Sequence, residues 1–172
     1  GHGYRFGITG VDGQRDERAD PVAAATFEPP STASRIADLA YEWGDRAWLD
    51  ARAVTIAPDA PISIYEVHLG SWGRVATPGR RWPRYDELAD PLADHVLNHG
   101  FTHVELLPVM EHPFYGSWGY QVTVYFAPTA RYGDPTALMR MIDRLHERGV
   151  GVLLDWVPSH FPMDEHALFR FD

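Results

Sequence analysis

The feature that most constrains this chain is an alternation of apolar strands and amphipathic helices between residues 62 and 157. Three strand-like segments lie at residues 62–69, 101–107 and 150–157. Between them, Asp90-Pro91 and Asp134-Pro135 each supply an N-cap residue followed by proline at the first helical position. The segment is therefore predicted to fold as β-α-β-α-β, with parallel strands joined by crossover helices.

Both predicted helices end at a glycine, Gly100 and Gly149, immediately before the next strand. Two architectures fit this order, a doubly wound sheet and a (β/α)₈ barrel. The first strand–helix loop lacks a Gly-x-Gly-x-x-Gly pattern, which disfavours a dinucleotide-binding fold. Either architecture places a ligand site in the loops that follow the strands, at residues 70–89, 108–133 and 158–172.

The residues before this segment differ from it in pattern. Asp12-Gly13 between strand-like residues predicts a hairpin, and residues 1–28 are interpreted as the tail of a β domain. Residues 29–61 carry Pro29-Pro30 and further prolines and are predicted to form an irregular linker, whose tryptophans favour packing against a neighbouring surface. The barrel part is then residues 62–172.

Composition excludes several classes of function. The net charge of −9 disfavours nucleic-acid binding, and the absence of cysteine excludes disulfides and thiolate metal sites. No run of about 18 apolar residues predicts a membrane span, and no signal pattern precedes the first strand. We therefore expect no membrane partner and a cytoplasmic location, with Gly1 as a cut end. No cofactor is predicted.

The loop after the second strand is the most unusual segment, because aromatic and polar side chains crowd it near a predicted active face. These residues are Glu111, His112, Tyr115, Trp118, Tyr120 and Gln121. Such a loop is either a platform for a sugar ring or a compact loop packed on its own side chains. The residue pattern alone leaves both interpretations open.

The third strand ends in Asp155, and His160 follows five residues later. A carboxylate at the end of a buried strand must be paired, so Asp155 is a catalytic group, a metal ligand or a structural anchor. The histidines show no close paired spacing, which disfavours zinc. Glu66 and His68 share one strand face, which either lines a barrel or packs beneath its helices, and Glu105 lies within the second strand.

Five strings of the chain resemble the bacterial 1,4-α-glucan (glycogen) branching enzymes of the α-amylase superfamily. They are Tyr65-Glu-Val-His-Leu-Gly-Ser-Trp72, residues 101–113, Gly116-Ser-Trp-Gly-Tyr-Gln-Val-Thr123, Tyr125-Phe-Ala-Pro-Thr129 and Asp155-Trp-Val-Pro-Ser-His-Phe-Pro162. The resemblance implies an α/β fold, a partial (β/α)₈ TIM barrel of three βα units after the tail of a β-sandwich carbohydrate-binding module. It also implies α-1,4-glucan or glycogen as the partner.

The same resemblance implies roles for individual residues. Tyr120 corresponds to the aromatic ring that stacks on the sugar at the cleavage subsite, and His160 to the histidine that hydrogen-bonds that sugar. Asp155 corresponds to the acid that holds the architecture of the site, and Gln121 is a further contact. Ser159 stands where the superfamily signature has Asn, and Val124 where the family usually has Gly.

Branching enzymes cleave an α-1,4 bond through a covalent glycosyl-enzyme and transfer the chain to a 6-hydroxyl. The resemblance places both carboxylates after later strands, and no Gly-Phe-Arg-x-Asp string occurs here. We therefore expect no catalytic carboxylate pair in this chain and no activity from the chain alone. The alternatives are a non-catalytic glucan-binding fragment that uses Tyr120 and Trp118, and a relative such as a maltooligosyl-trehalose hydrolase.

Overall fold

A computed structural model describes residues 1–73 and 79–171. The strands are β1 Gly3–Tyr4, β2 Phe6–Thr9, β3 Arg15–Arg18, β4 Ser34–Arg35, β5 Ile64–Val67, β6 His103–Leu106, β7 Met110–Glu111, β8 Val124–Pro128 and β9 Gly151–Leu154. The helices are α1 Arg46–Thr55, α2 Tyr85–Asn98 and α3 Pro135–Glu147. None of the helices in these two ranges is long and apolar enough to cross a membrane.

The chain divides into two compact units. The first consists of Gly1–Leu39, Pro108–Pro135 and Trp156–Asp172, and the second of Ala40–Leu107 and Thr136–Asp155. Each unit therefore draws on segments that are distant in the sequence, and each is described separately below.

The second unit contains a parallel sheet in the order β5-β6-β9, as the alternating pattern predicts. His103 is central to its register, because it lies opposite Ile64 on one side and Gly151 on the other. The buried residues of α2 and α3 form the core of this unit, with Leu92, Val96, Met141 and Leu145 all inaccessible to solvent. The predicted α/β class with parallel strands is confirmed.

Both long helices end with the same hydrogen-bonded motif. In α2 the amide of Phe101 donates to the carbonyl of Val96 at 3.0 Å and that of Gly100 to Leu97 at 3.1 Å. Gly100 has φ 75°, a left-handed conformation that glycine adopts without steric cost. Gly149 ends α3 in the same way, with φ 81°. These caps turn the chain directly into the next strand, which explains the short helix–strand joints.

The prediction that the first long helix begins at Asp90-Pro91 is wrong. Helix α2 begins at Tyr85, six residues before Pro91, which lies inside the helix. The backbone amide of Arg84 donates to the Glu87 carboxylate at 3.2 Å, which satisfies one amide at this end. Tyr85 and Leu88 are also fully buried, so the apolar face of the helix begins before the proline. Burial of this face outweighs the hydrogen bond that Pro91 removes.

The segment predicted to be an irregular linker contains helix α1, none of whose residues is buried. The residues just before α1 and in its first turn contact α3 within the second unit. The Tyr41 hydroxyl donates to Asp143 at 2.7 Å, and His146 lies 2.7 Å from Asp45. The Trp48 ring stacks on the His146 ring with centroids 3.8 Å apart. Trp48 of this segment therefore packs on helix α3.

The first unit is built from antiparallel pairs. Strands β2 and β3 form the hairpin that Asp12-Gly13 predicts, and Gly13 has φ 80°. Strands β7 and β8 pair within residues 108–133, which were predicted to be one long loop. Val124 begins β8 and packs in a buried cluster with Ala19, Ala23 and Ala127. Its φ is not positive, so this position does not require glycine.

The prediction that the third parallel strand is covered on both faces is wrong for the described residues. Leu153 and Leu154 of β9 are both exposed. Within residues 1–73 and 79–171, β9 pairs only with β6 and forms an edge of the sheet.

Burial of His103 makes the stability of the second unit depend on pH. Burial lowers the pKa of His103, whereas an unfolded histidine has a pKa of about 6.5. The unfolded chain therefore binds a proton first as the pH falls. We expect the urea midpoint of unfolding to be constant above about pH 6.5 and to fall below it. His103→Gln should weaken this dependence, whereas the same change at exposed His2 should not. Equal pH profiles for both variants and the wild type would contradict this explanation.

Candidate functional site

A buried ion pair organises the loop that follows the second parallel strand. The Glu111 and Arg131 side chains are only 5% and 4% exposed, and their closest atoms lie 2.9 Å apart. Hydrogen bonds also reach the Glu111 carboxylate from the Thr26 hydroxyl at 2.8 Å, the Ala130 amide at 2.7 Å, the Thr129 hydroxyl at 3.0 Å and the His112 amide at 3.0 Å. Both carboxylate oxygens are thus satisfied, as a buried charge requires.

Arg131 uses its remaining donors to hold the backbone of the loop. It donates to the carbonyl of His112 at 2.7 Å and to that of Pro113 at 3.0 Å. The His112 ring is buried, with Nδ1 2.9 Å from the carbonyl oxygen of Met110. The sequence placed Glu111 and His112 among side chains near a ligand, but both are buried. They fix the base of the loop, and we call this arrangement the Glu111–Arg131 clamp.

Beyond the clamp, a tight turn displays the aromatic side chains. Tyr115–Ser117 forms one turn of 3₁₀ helix, closed by a hydrogen bond from the Trp118 amide to the Tyr115 carbonyl at 3.0 Å. Trp118 has φ 55°, the only positive φ of a non-glycine residue in the described part of the chain. Such strain is concentrated at functional sites in proteins.

Gly119 continues the turn with φ 92°, and a Cβ there would lie 2.2 Å from the carbonyl oxygen of Pro108. Only glycine therefore fits this position. The chain then leaves the turn with 40% of Tyr120 and 56% of Trp118 exposed, and with Gln121 exposed beside them. The structure thus brings together on one turn three residues that the sequence singled out.

His160 belongs to the same unit and follows the third parallel strand. Its carbonyl oxygen accepts a hydrogen bond from the Tyr125 hydroxyl at 2.8 Å. Its ring nitrogen Nδ1 lies 3.1 Å from the Ser159 hydroxyl oxygen. The ring itself is exposed. Burial raises the pKa of Tyr125, so its hydroxyl keeps the proton that it donates.

The second unit contains the other candidate residues. Asp155 follows β9 directly, is half-buried, and donates its backbone amide to the Leu106 carbonyl at 3.0 Å. Glu66 and Glu105 lie opposite each other in adjacent strands, with Glu66 exposed. His68 lies 2.9 Å from the Ser71 hydroxyl, and burial lowers its pKa.

The chemistry of the first unit's turn suits a neutral, polyhydroxylated ligand. Exposed aromatic rings offer faces for stacking, and Gln121 and the His160 ring offer hydrogen-bonding groups. Among the described residues, no group of three or more His, Asp or Glu side chains is placed to hold a metal ion.

Comparison with known proteins identifies the family. A family model described as the catalytic domain of alpha amylases matches residues 93–171. The 1,4-alpha-glucan branching enzyme GlgB of Albidiferax ferrireducens is 55% identical over 173 residues, and the match covers 100% of this chain and 27% of that enzyme. GlgB of Aromatoleum aromaticum is 56% identical, with coverage of 98% and 26%. The chain belongs to the alpha-amylase family and corresponds to part of its branching enzymes.

A solved structure agrees with this assignment. A Salmonella typhimurium protein named as an alpha amylase matches with a TM-score of 0.71 and 26% identity, over 96% of this chain and 25% of that protein. The chain spans about a quarter of the length of the branching enzymes that it matches. The membership of the alpha-amylase family that the five strings predicted is confirmed, and the relatives are named as branching enzymes rather than trehalose-releasing hydrolases.

The sequence analysis did not predict two residues of the candidate site. Arg131 was not recognised as the partner of Glu111, because nothing in the local sequence shows that this carboxylate is buried and needs a cation nearby. Tyr125 gave no local signal, because its hydroxyl bonds to the backbone of His160, 35 positions away along the chain.

The clamp makes Glu111→Gln strongly destabilising. The amide would leave the Arg131 charge buried without its counter-ion, so we expect a loss of about 3–5 kcal/mol in the free energy of unfolding. Urea denaturation followed by circular dichroism measures this loss. Glu17→Gln is the matched control, because Glu17 pairs with Arg5 at an exposed site of the same unit and should cost no more than about 1 kcal/mol. Similar losses for the two variants would show that the buried pair has no special role.

A second prediction concerns the loss of stability caused by substitution of Gly119 in the turn. Gly119→Ala adds both a left-handed alanine and a collision with the Pro108 carbonyl, whereas nothing lies within 4 Å of the same added atom at Gly13. Gly13→Ala should therefore cost only about 1–2 kcal/mol, the conformational penalty alone. Gly119→Ala should cost more and should change the emission of Trp118. Equal costs, with unchanged emission, would show that the backbone contact is easily relieved.

Proposed function

We propose that this chain carries part of the α-1,4-glucan-binding surface of a glycogen branching enzyme. The observation that carries the proposal is the turn that holds Tyr120 and Trp118 exposed, in the same loop as the buried Glu111–Arg131 clamp. Tyr120 stacks on a glucosyl ring, and His160 hydrogen-bonds its hydroxyls. Trp118 and Gln121 supply further contacts, and Asp155 holds the architecture of the site.

The whole enzyme, in this proposal, cleaves an α-1,4 bond and transfers the released chain to a sugar 6-hydroxyl during glycogen synthesis. The reaction retains the anomeric configuration through a covalent glycosyl-enzyme, which requires a nucleophile and an acid about 5–5.5 Å apart. We assign neither role to Asp155 or Glu105. Glu105 lies in the middle of β6, and the family role of Asp155 is to support the site. The chain alone is therefore expected not to form branches.

The proposal extends to architecture. We propose that the three-stranded sheet is the first part of a (β/α)₈ barrel, and that residues 1–28 end a β-sandwich carbohydrate-binding module. Support comes from the parallel order β5-β6-β9 and from the hairpin of β2 and β3. The segment boundaries at residues 28 and 61 and the cytoplasmic location stay predictions of the sequence.

Retardation of the chain in native gels that contain glycogen tests the binding proposal. We expect wild-type chain to be retarded, and Tyr120→Ala or Trp118→Ala to weaken the affinity about tenfold through loss of ring stacking. Trp43→Ala is the matched control, because Trp43 is exposed to a similar degree outside the turn. Wild-type mobility that glycogen leaves unchanged would contradict the proposal.

A further inference from the structure

We infer that Tyr125 is a positioning residue that holds His160 in place for hydrogen bonding to the glucan. This inference rests on the proposed function, because it concerns how the same surface recognises sugar hydroxyls. It adds a residue that does not touch the ligand and acts through the backbone of another.

The geometry begins with strand β8. Val124, the residue before Tyr125, lies opposite Glu111 in the pairing of β7 and β8. Tyr125 is thus part of β8, one residue after the position that pairs with the clamp residue Glu111. Its side chain is only 8% exposed, and its hydroxyl donates to the His160 carbonyl at 2.8 Å. The hydrogen bond thus connects the clamped part of the unit to the segment that carries His160.

Two ring contacts support this connection. The Tyr125 ring lies 5.7 Å from the Trp156 ring and 6.1 Å from the Phe161 ring, which it meets edge to face. Both distances fall within the range of favourable aromatic pairs. Tyr125 therefore contacts residues on both sides of His160 and also bonds its carbonyl. One side chain therefore contacts the segment of residues 156–161 at one backbone carbonyl and at two aromatic rings.

The exposed ring of His160 gains its direction from the backbone of this segment. The Ser159 hydroxyl lies 3.1 Å from Nδ1, so the other ring nitrogen, Nε2, is the one available for a sugar hydroxyl. Without the Tyr125 hydroxyl, the carbonyl of His160 loses this hydrogen bond from β8, and the ring samples more orientations. The His160 ring must then be ordered when the glucan binds, which lowers the affinity, whereas in the wild-type chain the ring is already ordered.

Tyr125 is not itself a ligand-contacting group. Its ring is nearly inaccessible, and its only hydroxyl proton is donated to a backbone carbonyl. Any effect of the hydroxyl on glucan affinity must therefore pass through the position of its acceptor. This separates its role from those proposed for Tyr120 and Trp118, whose rings are exposed.

The test is a double-mutant cycle in the full 172-residue chain, with maltoheptaose affinity measured by titration calorimetry. Tyr125→Phe should weaken binding about two- to tenfold, as expected for one lost hydrogen bond. In the His160→Ala background the same change should have no further effect. Tyr4→Phe is the matched control, because the Tyr4 hydroxyl donates to Asp20 at 2.6 Å elsewhere in the same unit. That variant should lose stability and keep its affinity.

A second measurement separates positioning from general destabilisation. In the chain without glucan, Tyr125→Phe should shift the ¹H–¹³C resonance of the His160 ring, and Tyr4→Phe should not. An affinity that Tyr125→Phe leaves unchanged, in a chain where His160→Ala weakens binding, would overturn the role of Tyr125 alone. Absence of binding by the wild-type chain would overturn the proposed function and this inference with it.

Discussion

The buried pair of Glu111 and Arg131 is the interaction on which the candidate site depends. Removing two charges from water costs several kcal/mol per ion, and an isolated pair recovers this only with excellent geometry. Here each charge has several additional partners, from Thr26 at the beginning of the chain to the carbonyls of His112 and Pro113. The pair therefore joins three segments that are distant in sequence. The pair adds little net stability, and its main effect is to hold the loop in one arrangement.

An apolar pair of the same volume would not replace it. The carbonyls of His112 and Pro113 both accept from Arg131, and the amides of His112 and Ala130 both donate to Glu111. Buried backbone groups without partners are costly, so hydrophobic side chains at these positions would leave four such groups to be satisfied elsewhere. The same loop also buries apolar side chains, among them Val109, Met110 and Val122. The polar contacts at the base of the loop therefore add to its apolar packing and satisfy backbone groups that apolar side chains cannot satisfy.

The two units differ in how far the sequence determines them. In the second, apolar periodicity and glycine caps predict the strands and helices, because local pattern and burial agree. There are two exceptions. Helix α1 lies in a segment predicted to be irregular, and at the start of α2 the burial of Tyr85 and Leu88 overrides the local helix-start signal at Pro91. In the first unit, the sequence indicates an aromatic loop at residues 108–133 but neither the turn within it nor the contacts that support that turn. The partners of Glu111 lie up to 85 residues away, and no periodicity reports such contacts.

The residues that support the loop differ from those that are exposed on it, and the two groups should tolerate substitution differently. The residues that hold the loop, Glu111 and Arg131, are buried and nearly fully hydrogen-bonded, whereas Trp118, Tyr120 and the His160 ring are exposed. Exposed rings contribute little to folding, so their identity is free to follow the ligand. The supporting residues have the opposite constraint, since each is shared by several segments. Under the proposed function, the residues at the tip of the turn would contact the glucan, whereas the buried side chains of Glu111 and Arg131 would hold the loop without contacting it.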